Sequence, residues 1–374
     1  MQFWFQLRRC LAFIPTIVGV LYIAWAEPAM GQALGTAENV VLITLDGLRP
    51  EEMFTGADER LMIEELGVKE PAALKEKFWR ESAEERREVL LPFLWGKVLA
   101  GEAWLAGDPQ HESSVRVTNG MYFSYPGYNE LLTGFADPAV DSNAKKYNEN
   151  TTVLEWLNRK PDYQGRVAAY CSWDVFPFII NDRRSKIPVN AGWSKLTVGD
   201  AARLEGLNFV AENLFREWDG VRYDAFTTSG AIEELRTNRP RVLFVSLGET
   251  DDWAHAGRYD RYLITAQQND YFIKKLWEET QQMEQYRDKT TFIIACDHGR
   301  GDGREGWKSH GASLPGSENI WLIAFGTGIK RSGLDQGGEY QQAQVAATVA
   351  AAIGLDFAES DGKIAAPLPL FDTP

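Results

Sequence analysis

Acidic residues and histidines follow directly on three of the chain's short apolar runs, and this placement constrains the fold more than any other feature. Val40 to Leu45 runs into Asp46-Gly47, and Thr291 to Cys296 runs into Asp297-His298-Gly299. Val242 to Leu247 is followed by Gly248-Glu249-Thr250-Asp251-Asp252-Trp253-Ala254-His255. Two further runs, Arg166 to Trp173 and Ile320 to Phe325, have the same character. Each is rich in β-branched or aromatic residues and too short for a buried helix, so each reads as a strand. Segments with helical periodicity separate them, including Ala201 to Trp218, Tyr262 to Tyr286 and Gln341 to Ile353. Alternating strands and helices predict an α/β fold with a mostly parallel central sheet and helices on both faces. Ligands of such sheets bind beyond the carboxyl ends of the strands, so the three polar loops are expected to meet at one crevice.

The chain has 374 residues, enough for one large α/β core with an insertion. The stretch from about 51 to 106 fits that insertion: it is dense in Glu, Lys and Arg, carries Leu and Trp at helical spacing, and has no strand-like run. Its charges read as a solvated helix face. No linker or internal repeat divides residues 34–374, which are read as a single domain. Ahead of it, Arg8 and Arg9 precede an apolar run from Leu11 to Ala26, with small-residue patterns at Ala24-Trp25-Ala26 and Gly31-Gln32-Ala33. Residues 1–33 therefore read as a signal peptide cleaved near 26 or 33. The mature protein is then exported to the periplasm or beyond, with no stable membrane span. The competing reading is an uncleaved N-terminal anchor, although Pro15 interrupts the run and the run is short for a span. Cys171 and Cys296 lie in apolar runs and read as buried small hydrophobes, though an oxidising compartment permits a bridge.

Lys and Arg number 39 against 53 Asp and Glu, a net charge of -14. That balance disfavours nucleic-acid polymers as partners. A small anionic substrate is still compatible, because bound cations invert the local potential. The histidines sharpen the reading, since three of the four, His255, His298 and His310, fall in or just after the polar loops. Neutral imidazole and ionised carboxylate are the usual donors to Zn²⁺, and Mn²⁺ accepts the same set with more oxygen. Asp251 and His255 are four apart, so one helical turn lets both chelate one ion. Asp252, beside Asp251, is the alternative ligand. His111 sits in a polar loop without a ligand pattern and reads as structural.

Ser124 precedes Pro126 in a segment whose helix is expected to run to about Gly134. A helix amino terminus favours an alkoxide and a phosphoryl oxygen, while a serine there is ordinarily only a cap. Ile43 to Arg49, Ser124-Tyr125-Pro126 to Leu132-Thr133-Gly134, Asp251 to His255, Asp297-His298-Gly299 and His310-Gly311 resemble, in order, the motifs of the alkaline phosphatase superfamily. The closest similarity is to its nucleotide pyrophosphatase/phosphodiesterase branch. The resemblance covers about Asn39 to Leu355. It implies two divalent cations, one held by Asp251, His255 and His310, the other by Asp46, Asp297, His298 and the Ser124 oxygen. It also implies attack by Ser124 on a small phosphate mono- or diester, giving a phosphoseryl intermediate that water hydrolyses.

The sequence departs from the branch in having Ser124 for Thr and Gly127 where an Asn usually follows the Pro. Asn129 is the candidate to supply the missing substrate amide. The sulfatase nucleophile pattern is not met, and the third metal site and phosphate-gripping Arg of true alkaline phosphatases have no evident counterpart. Two other functions stand beside hydrolysis: a phosphomutase or phosphotransferase of the same superfamily, and a retired enzyme serving as an exported metal-binding protein. The chain lacks the large inserted domain of such mutases.

Overall fold

Burial on both faces selects the central strands of this protein. The computed structural model describes residues 34–330 and 333–371, and the signal-peptide reading falls on residues 1–33, outside them. Eight strands form the main sheet: Asn39–Leu45 (β1), Ala103–Ala106 (β2), Val167–Cys171 (β3), Val189–Ala191 (β4), Val242–Leu247 (β5), Thr290–Cys296 (β6), Leu322–Gly326 (β7) and Gly333–Leu334 (β8). Their spatial order is β8-β2-β7-β6-β1-β5-β3-β4. Every residue of β1, β5 and β6 is buried, as expected for parallel strands covered by helices on both faces. β1 pairs in parallel with both neighbours, and the register sets Leu45 beside Leu247 and beside Cys296. The residues that follow, Asp46, Gly248 and Asp297, therefore leave the sheet at one level. β7 runs antiparallel to β6 and β2, so the sheet is mixed but mostly parallel.

The structure differs from the sequence reading in three places. The 51–106 segment folds into helices Pro50–Thr55, Pro71–Phe78, Ala83–Leu90 and Pro92–Leu99, but ends in β2, a fully buried strand of the central sheet. Four residues, Ala-Trp-Leu-Ala, are too few for a period to register. The run Ile320 to Phe325 is split at Trp321. Asn319–Ile320 joins a small second sheet with Ser114–Arg116 and Glu339–Gln341, and the rest forms β7. The helix expected to span Ala201 to Trp218 stops at Asn213, whereas the other two are displaced by a few residues, to Tyr259–Gln282 and Gln344–Ala352. Cys171 and Cys296 are buried free thiols, as their apolar runs suggested.

The segment carrying Ser124 becomes the helix Ser124–Thr133, closed by Gly134 in the left-handed conformation. Ser124 is its first helical residue rather than its cap, a position held by Phe123. This helix lies flush on the end of β6: a Cβ added at Gly127 would sit 2.5 Å from the Asp297 carbonyl oxygen. The long helix Tyr259–Gln282 ties the inserted helices to the core. Its buried Asp270 accepts the amides of Phe93 and Leu94, both at 2.9 Å, and so satisfies the start of helix Pro92–Leu99. Burial outweighs those bonds and pushes the Asp270 carboxyl up to about 6.

Two outcomes follow from this packing. A carboxyl whose folded pKa lies above its unfolded value contributes stability that is full below about pH 4 and is lost as pH rises through 6. Asp270→Asn is therefore expected to gain about 2 kcal/mol relative to wild type between pH 4 and pH 7. Urea unfolding at the two pH values measures this, and a flat difference refutes it. Gly127→Ala is expected to destabilise the protein by about 1–3 kcal/mol, because backbone on β6 must move to admit the methyl group. An unchanged thermal midpoint would show that the helix yields freely.

Candidate active site

The level strand ends bring the polar loops together as a set of closely spaced donor atoms. His298, in the loop after β6, places its Nε2 at 3.4 Å from Ser124 Oγ, 3.3 Å from Asp46 Oδ1 and 3.5 Å from Asp297 Oδ2. Donors around a tetrahedral Zn²⁺ with bonds of about 2.0–2.1 Å stand about 3.3 Å apart, and each of these three separations from His298 Nε2 is of that size. Asp46 Oδ1 and Asp297 Oδ2 are buried without a hydrogen-bond partner. Their companion oxygens are engaged, Asp46 Oδ2 by Tyr128 Oη at 2.9 Å and Asp297 Oδ1 by the Gly47 amide at 3.1 Å. Each carboxylate is thus fixed by one oxygen and leaves the other to a cation.

A second set lies alongside. Helix Glu249–His255 begins just after β5 and carries Asp251 and His255 one turn apart. His255 Nε2 is 3.2 Å from Asp251 Oδ2 and 3.0 Å from His310 Nε2, and His310 Nε2 is 3.6 Å from Asp251 Oδ1. The two sets adjoin, with the His298 and His310 rings stacked at 3.8 Å between centroids. Asp251 Oδ1 also lies 3.9 Å from His298 Nε2, and among the described residues two groups have ligand atoms close enough to share an ion: Asp251, His255 and His310, and Asp46, Asp251 and His298. Each of these two buried rings is oriented from behind. Nδ1 of His298 meets the Gly299 carbonyl at 2.9 Å and Nδ1 of His310 meets the Tyr122 carbonyl at 2.9 Å. Those carbonyls hold the proton on Nδ1 and leave the Nε2 lone pair free to coordinate.

The electrostatics agree with a cation-binding role. Burial lowers the pKa of His298 to about 4, and burial together with His298 lowers that of His310 to about 3, so both rings are neutral near pH 7. Burial and the charge of Asp251 raise Asp46 to about 7. Burial, Asp46 and Asp251 push Asp297 well above the usual carboxylate range. Three carboxylates crowded in low dielectric are ionised together only if positive charge joins them.

Of the two adjacent aspartates, Asp251 reaches the histidines. Asp252 lines, with Asp251 and Ser124, a cleft of about 220 Å³, and burial and the neighbouring carboxylates raise it to about 9. Asn129 is drawn away from this cleft. It is fully buried, its Oδ1 accepts from Asn148 at 3.0 Å and Asn150 at 3.1 Å, and its Nδ2 donates to the Phe135 carbonyl. The amide on the cleft wall belongs to Asn143, whose Oδ1 accepts the Tyr125 amide at 2.9 Å. Asn143 lies in a polar loop with nothing in the local sequence to mark it. Arg300 is a further residue that sequence reasoning misses, although it stands three residues after Asp297. Its buried guanidinium contacts Asp251 and does not line the cleft. His111 pairs with Asp108 at 2.7 Å, away from the site, consistent with a structural role.

No family model matches the sequence. Over 213 residues it is 27% identical to human GPI ethanolamine phosphate transferase 1, a match covering 55% of this chain and 21% of the human protein. The chain thus spans about a fifth of that relative's length. Among solved structures, the wild-type alkaline phosphatase PafA is similar over 91% of this chain and 100% of that one. Its TM-score is 0.57 at 10% identity. The C-terminal periplasmic domain of EptC from Escherichia coli, in complex with Zn, matches over 92% of each chain with a TM-score of 0.52 and 10% identity. In its chain course and mostly parallel sheet, this protein shares the fold of the alkaline phosphatase PafA.

Proposed function

We propose that this protein is an exported, metal-dependent phosphohydrolase that cleaves phosphate esters through a phosphoseryl intermediate on Ser124. One observation carries the reading: the Ser124 hydroxyl lies 3.4 Å from His298 Nε2, the same imidazole nitrogen that is 3.3 Å from Asp46 Oδ1 and 3.5 Å from Asp297 Oδ2. Asp46, Asp297, His298 and Ser124 would hold one divalent cation, and Asp251, His255 and His310 the other. Two such cations, when bound, supply the positive charge that lowers the serine pKa and neutralises the phosphoryl and leaving oxygens. Zn²⁺ suits the mix of imidazole and carboxylate donors, as does Mn²⁺.

The protein's own groups account for the remaining work. Ser124 Oγ, having given up its proton, bonds to phosphorus as the bond to the departing ester oxygen breaks; water then attacks that phosphorus, the bond to Ser124 breaks, and the phosphate product leaves with the serine regenerated. Asn143 takes the substrate-amide role first assigned to Asn129, because its Nδ2 has no partner among the described residues. Fixed donors aimed at developing charge, rather than covalent assistance, do most of the catalysis of a loose phosphoryl transfer. Export rests on the sequence of residues 1–33, and among the described residues no helix is long and apolar enough to cross a membrane.

A second reading, transfer of the phosphoryl group to an acceptor other than water, is favoured by the likeness to the human ethanolamine phosphate transferase. It uses the same nucleophile and cations. Turnover of an aryl phosphate monoester and its matching diester, with product analysis with and without an added alcohol, separates the two.

Ser124→Ala is expected to lower kcat roughly a thousandfold or more while most of the bound metal is retained. Full activity in that variant would remove the serine from the mechanism. Stripping with a chelator should abolish turnover and lower the thermal midpoint. Restoring Zn²⁺ at a thousandfold excess over its Kd should return about 4 kcal/mol of stability. A midpoint indifferent to both treatments would exclude the metal centre.

A further inference from the structure

We infer that Arg300 is a built-in counter-charge to Asp251 that makes the two metal positions unequal, one retaining its cation tightly and the other exchanging it. This rests on the two-cation reading above, but not on the reaction assigned to it. The guanidinium is fully buried and contacts Asp251 directly, with its Nη2 3.4 Å from His255 Nδ1. It is not free to swing away. Nε donates to the Trp307 carbonyl and Nη2 to the Lys308 carbonyl, both at 2.7 Å. Gly47, with φ of +59°, leaves the space it fills: a Cβ there would lie 2.7 Å from Nη1 and 2.9 Å from Asp251 Oδ1.

The donor sets consequently differ in charge. The set around Ser124 offers two carboxylates, each with a buried oxygen lacking a hydrogen-bond partner, Asp46 Oδ1 and Asp297 Oδ2. Leaving those atoms without a cation is costly, so a cation there is held strongly. The set around His255 offers one carboxylate, and its charge is already shared with a guanidinium. A cation arriving here gains half the carboxylate charge and meets the Arg300 charge a few ångströms beyond it. This set is also the more open one: His255 is 44% exposed, whereas His298 is 0% exposed. Weak attraction and solvent access together make the second position the exchangeable one. The chain would then turn over substrate only where free metal is sufficient to fill it.

Zn²⁺ titration of the chelator-stripped full domain, followed by equilibrium dialysis and elemental analysis, tests this without any substrate. Wild type is expected to bind one ion tightly and a second on the order of a hundredfold more weakly. His255→Ala should remove the weak class and keep the tight one. Arg300→Gln should tighten the weak class about tenfold, while Arg300→Lys, which keeps the charge, leaves it weak. Retention of the tight class in each variant shows that the fold is intact. Two equal affinities in wild type would overturn the inference. So would a weakened second site in Arg300→Gln with the tight class intact, since Arg300 would then serve only to position Asp251. Binding of no ion would defeat the two-cation reading itself, and two unequal ions without ester turnover would defeat only the proposed reaction.

Discussion

Three carboxylates, Asp46, Asp251 and Asp297, are crowded at one edge of the sheet, and the geometry of the site is an answer to their repulsion. Burial and mutual charge push Asp46 and Asp297 upward, while the Arg300 guanidinium holds Asp251 down. Such a cluster is stable only if each carboxylate is fixed and countered. Tyr128 and the Gly47 amide each take one oxygen, Arg300 neutralises a third group, and two oxygens are left for cations. The neutral rings of His298 and His310 complete the donor sets without adding charge.

The sheet makes this crowding possible. Parallel pairing of β1 with β5 and β6 puts three strand ends level, so the residues leaving them have nowhere to go but the same crevice. The helix Ser124–Thr133 is pressed onto this edge through Gly127, where a side chain would strike the Asp297 carbonyl. The departure from the phosphodiesterase pattern at Gly127 thus has a packing reason. An Asn there has no room, and the side-chain amide that lines the cleft is that of Asn143.

How far the sequence can be read depends on the length of the signal. β1, β5 and β6 are six or seven residues of continuous apolar chain, and their positions are legible to within one residue. β2, β4 and β8 have four, three and two residues, too short for any pattern, so a strand of the main sheet reads as the end of a helical insertion. The candidate metal donors are legible because histidine is scarce and the i,i+4 pair of Asp251 and His255 is local. Asn129 reads from sequence as a candidate amide because helical register alone cannot say which way a buried amide faces. Its three hydrogen bonds all point to the Phe135 to Asn150 side of the helix.

The sequence by itself determined the strand ends, the donor types and the α/β class, because these follow from hydrophobic periodicity and from residues adjacent in the chain. Tertiary structure alone decided which donors lie close together, that Asp251 rather than Asp252 meets the histidines, that Asn143 lines the cleft and that Arg300 contacts Asp251. Those choices rest on close contacts between residues as far apart in the chain as Ser124 and His298, or Asp251 and Arg300. At that range a single turn of a helix or one step of strand register reverses the outcome, and only the packed core fixes both.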